Sequence, residues 1–427
     1  METDFQELDL RPGARLYVNP TDKFKTLSIR VMLQQELRPV ATSLGALVPR
    51  VLRRGTSELP SMRLISQRLE ELYGSRLTAE VSKVGDRQVL MLGLDMPSPA
   101  LLGEGDDLLR QGVRLLSSVI TSPVLSGGTF DERLVEREKD TLITHIESIV
   151  NDRTQYALMR CVEEMFKGEP FGLFELGKVD ELRAVTPSVL YDHYRTLVGT
   201  APVHAFVVGP VDPDTVHRML KESLDLPPRD SRQVSSELAP ALNRELRTIH
   251  ERFPIEQSRL VMGFRTHTGL TSESLYSAMV FEGILGGYPH SKLFMNVREK
   301  RSLVYYIQSI LDSNKGLMFI VAGTSHEKIH DVQEVAGEQI DAIRQGKFND
   351  FEFDATKQAI SHRIRSSADS PHVQIGLEYE HLLAGRKTSV AERLGRLEAV
   401  DRDQVMQAAT RVELDTVYTL SKGGGVE

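Results

Sequence analysis

The chain has 427 residues, a net charge of -8 and one cysteine, Cys161. Its composition, 40% hydrophobic and 26% charged, is ordinary for a globular protein, and the length leaves room for two or more cores. There is no basic block to engage nucleic acid or an anionic membrane, a lone cysteine excludes an intramolecular disulfide or a cysteine metal cluster, and no run of about 18 apolar residues offers a membrane span. The acidic start, Met-Glu-Thr-Asp-Phe-Gln-Glu, reads neither as a secretory signal nor as an Arg-rich transit peptide, so a soluble, cytoplasmic protein is expected.

Arg15–Asn19 and the alternating Thr26–Leu33 read as strands. Ser43–Arg54 follows as a helix with Leu44, Leu47, Val48, Val51 and Leu52 on one face, although Pro49 lacks an N–H and should kink it. Ser61–Tyr73 is a clear helix stopped by Gly74, and Leu77–Val84 and Gln88–Leu94 are strands. Ala100–Ile120 and Asp131–Val150 read as long helices, with more helix to about Phe166. Val203–Val208 is an apolar strand, and Val216–Leu224 closes this half.

Leu226–Arg247 shifts in composition, with Pro227, Pro228, Ser231, Ser235, Ser236 and Pro240 among charges, and reads as a linker. The order of elements then restarts. Gln257–Arg265 is a strand and Ser272–Leu285 a helix. Leu303–Ile310 and Gly316–Gly323 are paired strands. His326–Gly346 and Asp350–Ser367 are helices, Leu377–Val412 is mostly helical, and Thr416–Leu420 is a last strand before a loose Gly423–Gly425 tail. The repeat points to an internal duplication, with domains at 1–225 and 248–427 joined by 226–247. Each half is expected to be α+β, an antiparallel sheet with helices on one side.

The chemistry concentrates at Leu293–Ile307. Leu293, Phe294 and Val297 recur at helical spacing, Lys300 and Arg301 suit a helix C-terminus, and Leu303–Ile310 is strand-like. Arg298 on the helix and Tyr305 at the mouth of the strand can aim a guanidinium and a phenol at one point, a donor pair suited to a peptide carbonyl or an oxyanion. Taken alone, an Arg and a Tyr at such positions are more often a surface ion pair and half-buried packing.

The run Leu285-Gly286-Gly287, Ser291-Lys292-Leu293-Phe294, Val297-Arg298-Glu299-Lys300, Leu303-Val304-Tyr305 closely resembles a signature of the M16 (pitrilysin-like) metallopeptidase family. The resemblance covers essentially the whole chain. It implies two similar halves facing each other like a clam around a polar chamber, with Gly286, Gly287, Arg298 and Tyr305 contacting peptide opposite the zinc.

That family's zinc motif, His-x-x-Glu-His ahead of a Gly-Thr, falls here on Ala46, Pro49 and Arg50 before Gly55-Thr56. Alanine and proline have no ligand atom, and arginine stays protonated and repels the ion. Glu138 matches the family's second-shell glutamate, and the third ligand position falls on His145, which cannot hold a catalytic zinc alone. A second pattern, His326-Glu327-Lys328-Ile329-His330, matches His-Glu-x-x-His. It reads as the first exposed turn of a surface helix capped by Ser325, because Ile329, Val332, Ala336, Ile340 and Ile343 form the buried stripe while Glu327 points away. Gly286-Gly287 lacks the Lys-Ser/Thr of a phosphate loop, and Cys161 reads as a buried thiol.

Two readings follow from the resemblance. The chain looks like the zinc-less subunits that pair with an active M16 peptidase in Gram-positive bacteria. It would carry no cofactor, the partner would supply zinc and general base, and Arg298 and Tyr305 would act in trans on an extended peptide. Alternatively it is a peptide-binding or scaffold protein with no role in catalysis. An isolated chain could pair with itself.

Overall fold

The computed structural model describes residues 5–103, 105–227, 234–235, 237–240 and 245–422. The glycine tail and half of the expected linker, including Pro228, Ser231 and Ser236, lie outside the described residues.

The first sheet is built from β1 (Gln6–Arg11), β2 (Ala14–Pro20), β3 (Thr26–Glu36), β4 (Arg76–Val84), β5 (Arg87–Pro97) and β6 (Val203–Gly209), in the order β1-β2-β6-β3-β5-β4. The second comprises β7 (Arg247–Arg252), β8 (Ser258–Arg265), β9 (Val304–Asp312), β10 (Leu317–Thr324) and β11 (Glu413–Ser421), in the order β9-β10-β8-β11-β7. Without β1 the two orders are identical in sequence rank. In each, one parallel pair (β2 with β6, β7 with β11) interrupts an otherwise antiparallel ladder. The fold is thus α+β and repeats its topology.

The longer helices are α1 (Ala41–Leu52), α2 (Met62–Glu71), α3 (Gly105–Thr121), α4 (Glu132–Ser148), α5 (Arg153–Met165), α6 (Pro187–Thr200) and α7 (Pro213–Ser223) in the first half, with short turns of helix at Pro99–Leu102 and Val179–Arg183. The second half has α8 (Leu275–Glu282), α9 (Ile329–Arg344), α10 (Asp350–Ser366), α11 (Pro371–Ala384), α12 (Val390–Glu398) and α13 (Arg402–Thr410). Most cover one face of their own sheet, giving one core around Ile29, Leu47 and Leu116 and another around Leu260, Phe281 and Ile320. No helix among the described residues is long and apolar enough to cross a membrane.

Two helices depart from the expected one-sided layering. From the first half, α5 packs Ala157, Cys161 and Met165 onto Val261, Phe319 and Tyr418 of the second sheet. From the second half, α11 packs Ile375 and Tyr379 onto Tyr17, Met32 and Phe206 of the first. Each sheet is therefore apolar on both faces, and each half completes the other. Gly263 permits the close approach of α5, since a Cβ there would come within 3.0 Å of Met165 Sδ. Polar ties reinforce the exchange. Lys315 Nζ donates to Asp86 at 2.6 Å, Arg30 Nη2 lies 2.9 Å from His372 Nδ1, and Asn19 donates to Gln374 at 2.8 Å.

Local expectations shift in four places. The Ala100–Ile120 span divides, with Gly103 in the left-handed region at φ 70. Leu377–Val412 resolves into parts of three helices, the first closed by left-handed Gly385. Arg247, read as the end of a linker, opens strand β7, which pairs in parallel with β11. Helix α1 runs through Pro49: all its residues but Ala41 and Arg50 are buried, and that packing outweighs one lost N–H bond.

Candidate functional site

The Arg298–Tyr305 corner forms as expected in outline, with wider turns. Gly283–Gly287 and Phe294–Lys300 are π-helical, each turn carrying more chain than an α-helical one. Ser302 reverses the chain at φ 47, a left-handed conformation that costs a serine about 1–2 kcal/mol. Its N–H donates to the Arg298 carbonyl at 3.1 Å, and the Leu303 N–H to that of Val297 at 3.0 Å. Thr324 Oγ1 donates to the Leu303 carbonyl at 2.5 Å, fastening the start of β9 to β10.

Tyr305 follows in a bulge. Val304 pairs with Thr324 and Tyr306 with Gly323, which leaves Tyr305 unmatched on β10. Its side chain is 59% exposed and makes no hydrogen bond among the described residues. Arg298 lies with its guanidinium 4.8 Å from the Phe294 ring centre and 3.7 Å from the Glu299 carboxylate, with its side chain 42% exposed. Both donors stand on open surface, so taking a ligand would require little desolvation.

The two glycines do different things. A Cβ on Gly286 would meet the Ser309 backbone nitrogen at 2.7 Å, so glycine is needed to lay this turn against β9. Gly287 is exposed and lines a cavity of about 860 Å³ where the halves meet. Lys83 of the first half and Glu282, Ile310, Asp312 and Glu380 of the second share its wall. Burial pushes all three carboxylates above their ordinary range; for Glu282 the hydrogen bond from Ser309 Oγ, 2.8 Å long, works against that shift. Arg298 and Tyr305 lie outside this cavity.

The motif positions for zinc do not fit a metal. Ala46 is fully buried in the first core, Pro49 is buried beside it, and Arg50 is half-buried. Burial lowers the Arg50 pKa, and Glu138 opposes that shift. His145 is exposed on α4, away from that core. Arg54 holds Glu138 instead: Nε donates to Oε1 at 2.6 Å and Nη2 lies 2.5 Å from the same oxygen. A carboxylate bonded to one arginine and neighboured by others is a poor environment for a dication. His326 sits on a 3-10 turn and His330 on the first turn of α9, both exposed. Among the described residues no group of three or more His, Cys, Asp or Glu side chains could hold a metal ion. Ser325 precedes that turn, but its side chain makes no capping hydrogen bond to the backbone.

Sequence reading missed the residues behind the corner. The Tyr306 ring lies across Gly323, and its hydroxyl is 2.6 Å from Thr154 Oγ1 on α5. Glu251 on β7 accepts from Tyr156 and Tyr418, each at 2.6 Å, and from Arg160 at 3.1 Å, anchoring that same helix. The Tyr305-Tyr306 doublet was visible; nothing local joins residue 306 to residue 154.

Comparison with known proteins adds relatives of the same size. Residues 184–360 match the family model described as the peptidase M16 inactive domain. The chain is 30% identical over 408 residues to the probable inactive metalloprotease YmfF of Bacillus subtilis, covering 96% of each chain. A conserved protein from Enterococcus faecalis has a solved structure that superposes with a TM-score of 0.92 at 27% identity, over 99% of this chain and all of that one. A peptidase M16 inactive domain from Pseudomonas fluorescens shares the fold, with a TM-score of 0.81 at 16% identity over 99% of this chain and 100% of its own. With full-length similarity of this kind and no zinc-binding group among its described residues, the chain belongs to the M16 peptidase family and resembles its inactive members.

Proposed function

We propose that this chain grips extended peptides through Arg298 and Tyr305 and serves a zinc-bearing M16 chain as its non-catalytic partner. The observation that carries the reading is the contrast between two places. The zinc positions have been replaced by Ala46, Pro49 and Arg50, whereas the donor pair is intact, exposed and without a strong ion pair. Across a shared chamber the guanidinium and phenol would bind the scissile carbonyl and stabilise its oxyanion, while zinc and general base come from the partner. The peptide would lie extended, pairing with a sheet edge. Gly287 and the cavity beside it would receive side chains some way from the reacting bond.

The test is Tyr305→Phe in a co-expressed pair with a zinc-bearing M16 chain. Loss of one oxyanion donor typically costs about 2.7–4 kcal/mol, or 10²–10³ in kcat. Turnover should fall by about that factor while the pair still co-elutes. Unchanged turnover with intact peptide binding would instead make this an M16-like peptide-binding protein with no part in catalysis.

A further inference from the structure

We propose that Thr154, on the helix the first half lends to the second, is a positioning residue for Tyr305, so that the contact between the halves sets the strength of the peptide grip. This rests on the reading of Arg298 and Tyr305 as the gripping pair.

A bulged residue has no partner across the ladder, so its direction is fixed by the residues on either side. Before Tyr305, Val304 is buried in the core beneath the helices of the second sheet. After it, Tyr306 turns to the opposite face. There the ring packs so closely over Gly323 that a Cβ would come within 2.4 Å of it. The Arg259 guanidinium stands 5.7 Å from the ring centre. The hydroxyl ends 2.6 Å from Thr154 Oγ1. Tyr306 is therefore held at its base by its own sheet and at its tip by the other half of the molecule.

Thr154 is itself well placed to act as a fixed point. It lies in the first turn of α5, and its N–H donates to the Asp152 carboxylate at 3.1 Å. Further along that helix, Tyr156 and Arg160 both bond Glu251 on β7. The helix is thus pinned to one edge of the second sheet by Glu251 and to the opposite edge strand, β9, by Thr154. A shift of α5 across the sheet would pull on Tyr306 and swing Tyr305 in its bulge. Thr154 need not touch peptide to change how peptide is held.

The experiment titrates fluorescein-labelled insulin B chain into the purified full chain and its variants, followed by anisotropy. Thr154→Val keeps the shape and removes the hydroxyl. It should raise Kd about threefold to tenfold, the effect of one hydrogen bond. Tyr306→Phe should raise it equally, the double variant no further, and Thr154→Ser should restore wild-type affinity. Thermal midpoints within a degree or so of wild type would assign the change to the corner and not to general loosening. Wild-type affinity in Thr154→Val, alongside weakened binding in Tyr305→Phe, would overturn the positioning role and leave the grip standing. Additive losses in the double variant would also overturn it. Wild-type affinity in Tyr305→Phe would remove the grip itself and this proposal with it.

Discussion

Arg54 donates to the fully buried carboxylate of Glu138 at 2.6 Å, just beyond the end of α1, the helix that carries Ala46, Pro49 and Arg50. Among the described residues the other Glu138 oxygen has no hydrogen-bond partner. The Arg54 guanidinium therefore makes the hydrogen bonds to this buried charge, with Arg50 a second positive charge nearby. Removing one partner of such a pair typically costs about 3–5 kcal/mol, because the other is left buried and uncompensated. Arg54→Ala should destabilise the chain by that order in urea unfolding, and Glu138→Gln in the Arg54→Ala background should recover part of the loss. A neutral Arg54→Ala would mean that Glu138 finds another donor.

The exchanged helices make the two halves one cooperative unit. Tyr379 of α11 is buried against Phe206 and His204 of the first sheet and donates to Gln34 at 3.3 Å. Tyr379→Ala should cost about 3–5 kcal/mol, as large aromatic truncations do. Unfolding should remain a single transition seen alike by probes in both halves. Two separated transitions would show that the halves fold independently.

How much of this was legible in the sequence depended on the kind of signal. Strands and helices with a clean period, such as Thr26–Glu36 and Asp350–Ser366, were read nearly to their ends. So was the helix-to-strand corner at Arg298, because both its periods and its motif lie in one short stretch. The exchange of α5 and α11 was not legible: an apolar stripe shows that a helix face is buried, not which sheet buries it. Strand β7, Arg-Thr-Ile-His-Glu-Arg, has one aliphatic residue, so it read as no element, with Arg247 taken as the end of the linker, and its place is set by Glu251 and three distant donors. That Ala46, Pro49 and Arg50 cannot ligate zinc follows from residue type alone, whereas the Arg54–Glu138 bond spans 84 residues.

Gly286 offers a steric prediction. A methyl group there must push on the Ser309 backbone and Leu293 at 2.7 and 2.8 Å. Gly286→Ala should destabilise by about 1–3 kcal/mol, the usual range for overpacking, and should loosen β9 as seen by faster amide exchange across residues 305–310. Unaltered exchange would show that the turn can move away at no cost.

The cavity carboxylates set a pH dependence of definite sign. Glu282 holds its proton to higher pH when folded than when unfolded, because burial disfavours its charge. Keeping it ionised near neutral pH therefore costs stability, and that cost fades as pH falls through the folded pKa toward the unfolded value of about 4.3. Glu282→Gln should raise Tm at about pH 7.5, with the advantage shrinking toward about pH 4. A lower Tm for the variant at neutral pH would mean that the ionised form is favoured by the Ser309 bond.

The most direct measurement of the central claim is the affinity of the purified chain for a labelled extended peptide, wild type against Tyr305→Phe and Arg298→Ala. Saturable binding is expected in the wild type, weakened about tenfold or more by Arg298→Ala, since a hydrogen bond from a charged donor is worth about 1.5–3 kcal/mol, and about threefold to tenfold by Tyr305→Phe, since a neutral one is worth about 0.5–1.5 kcal/mol. Binding that is the same in all three proteins would contradict it and would leave the exposed corner without the role assigned to it.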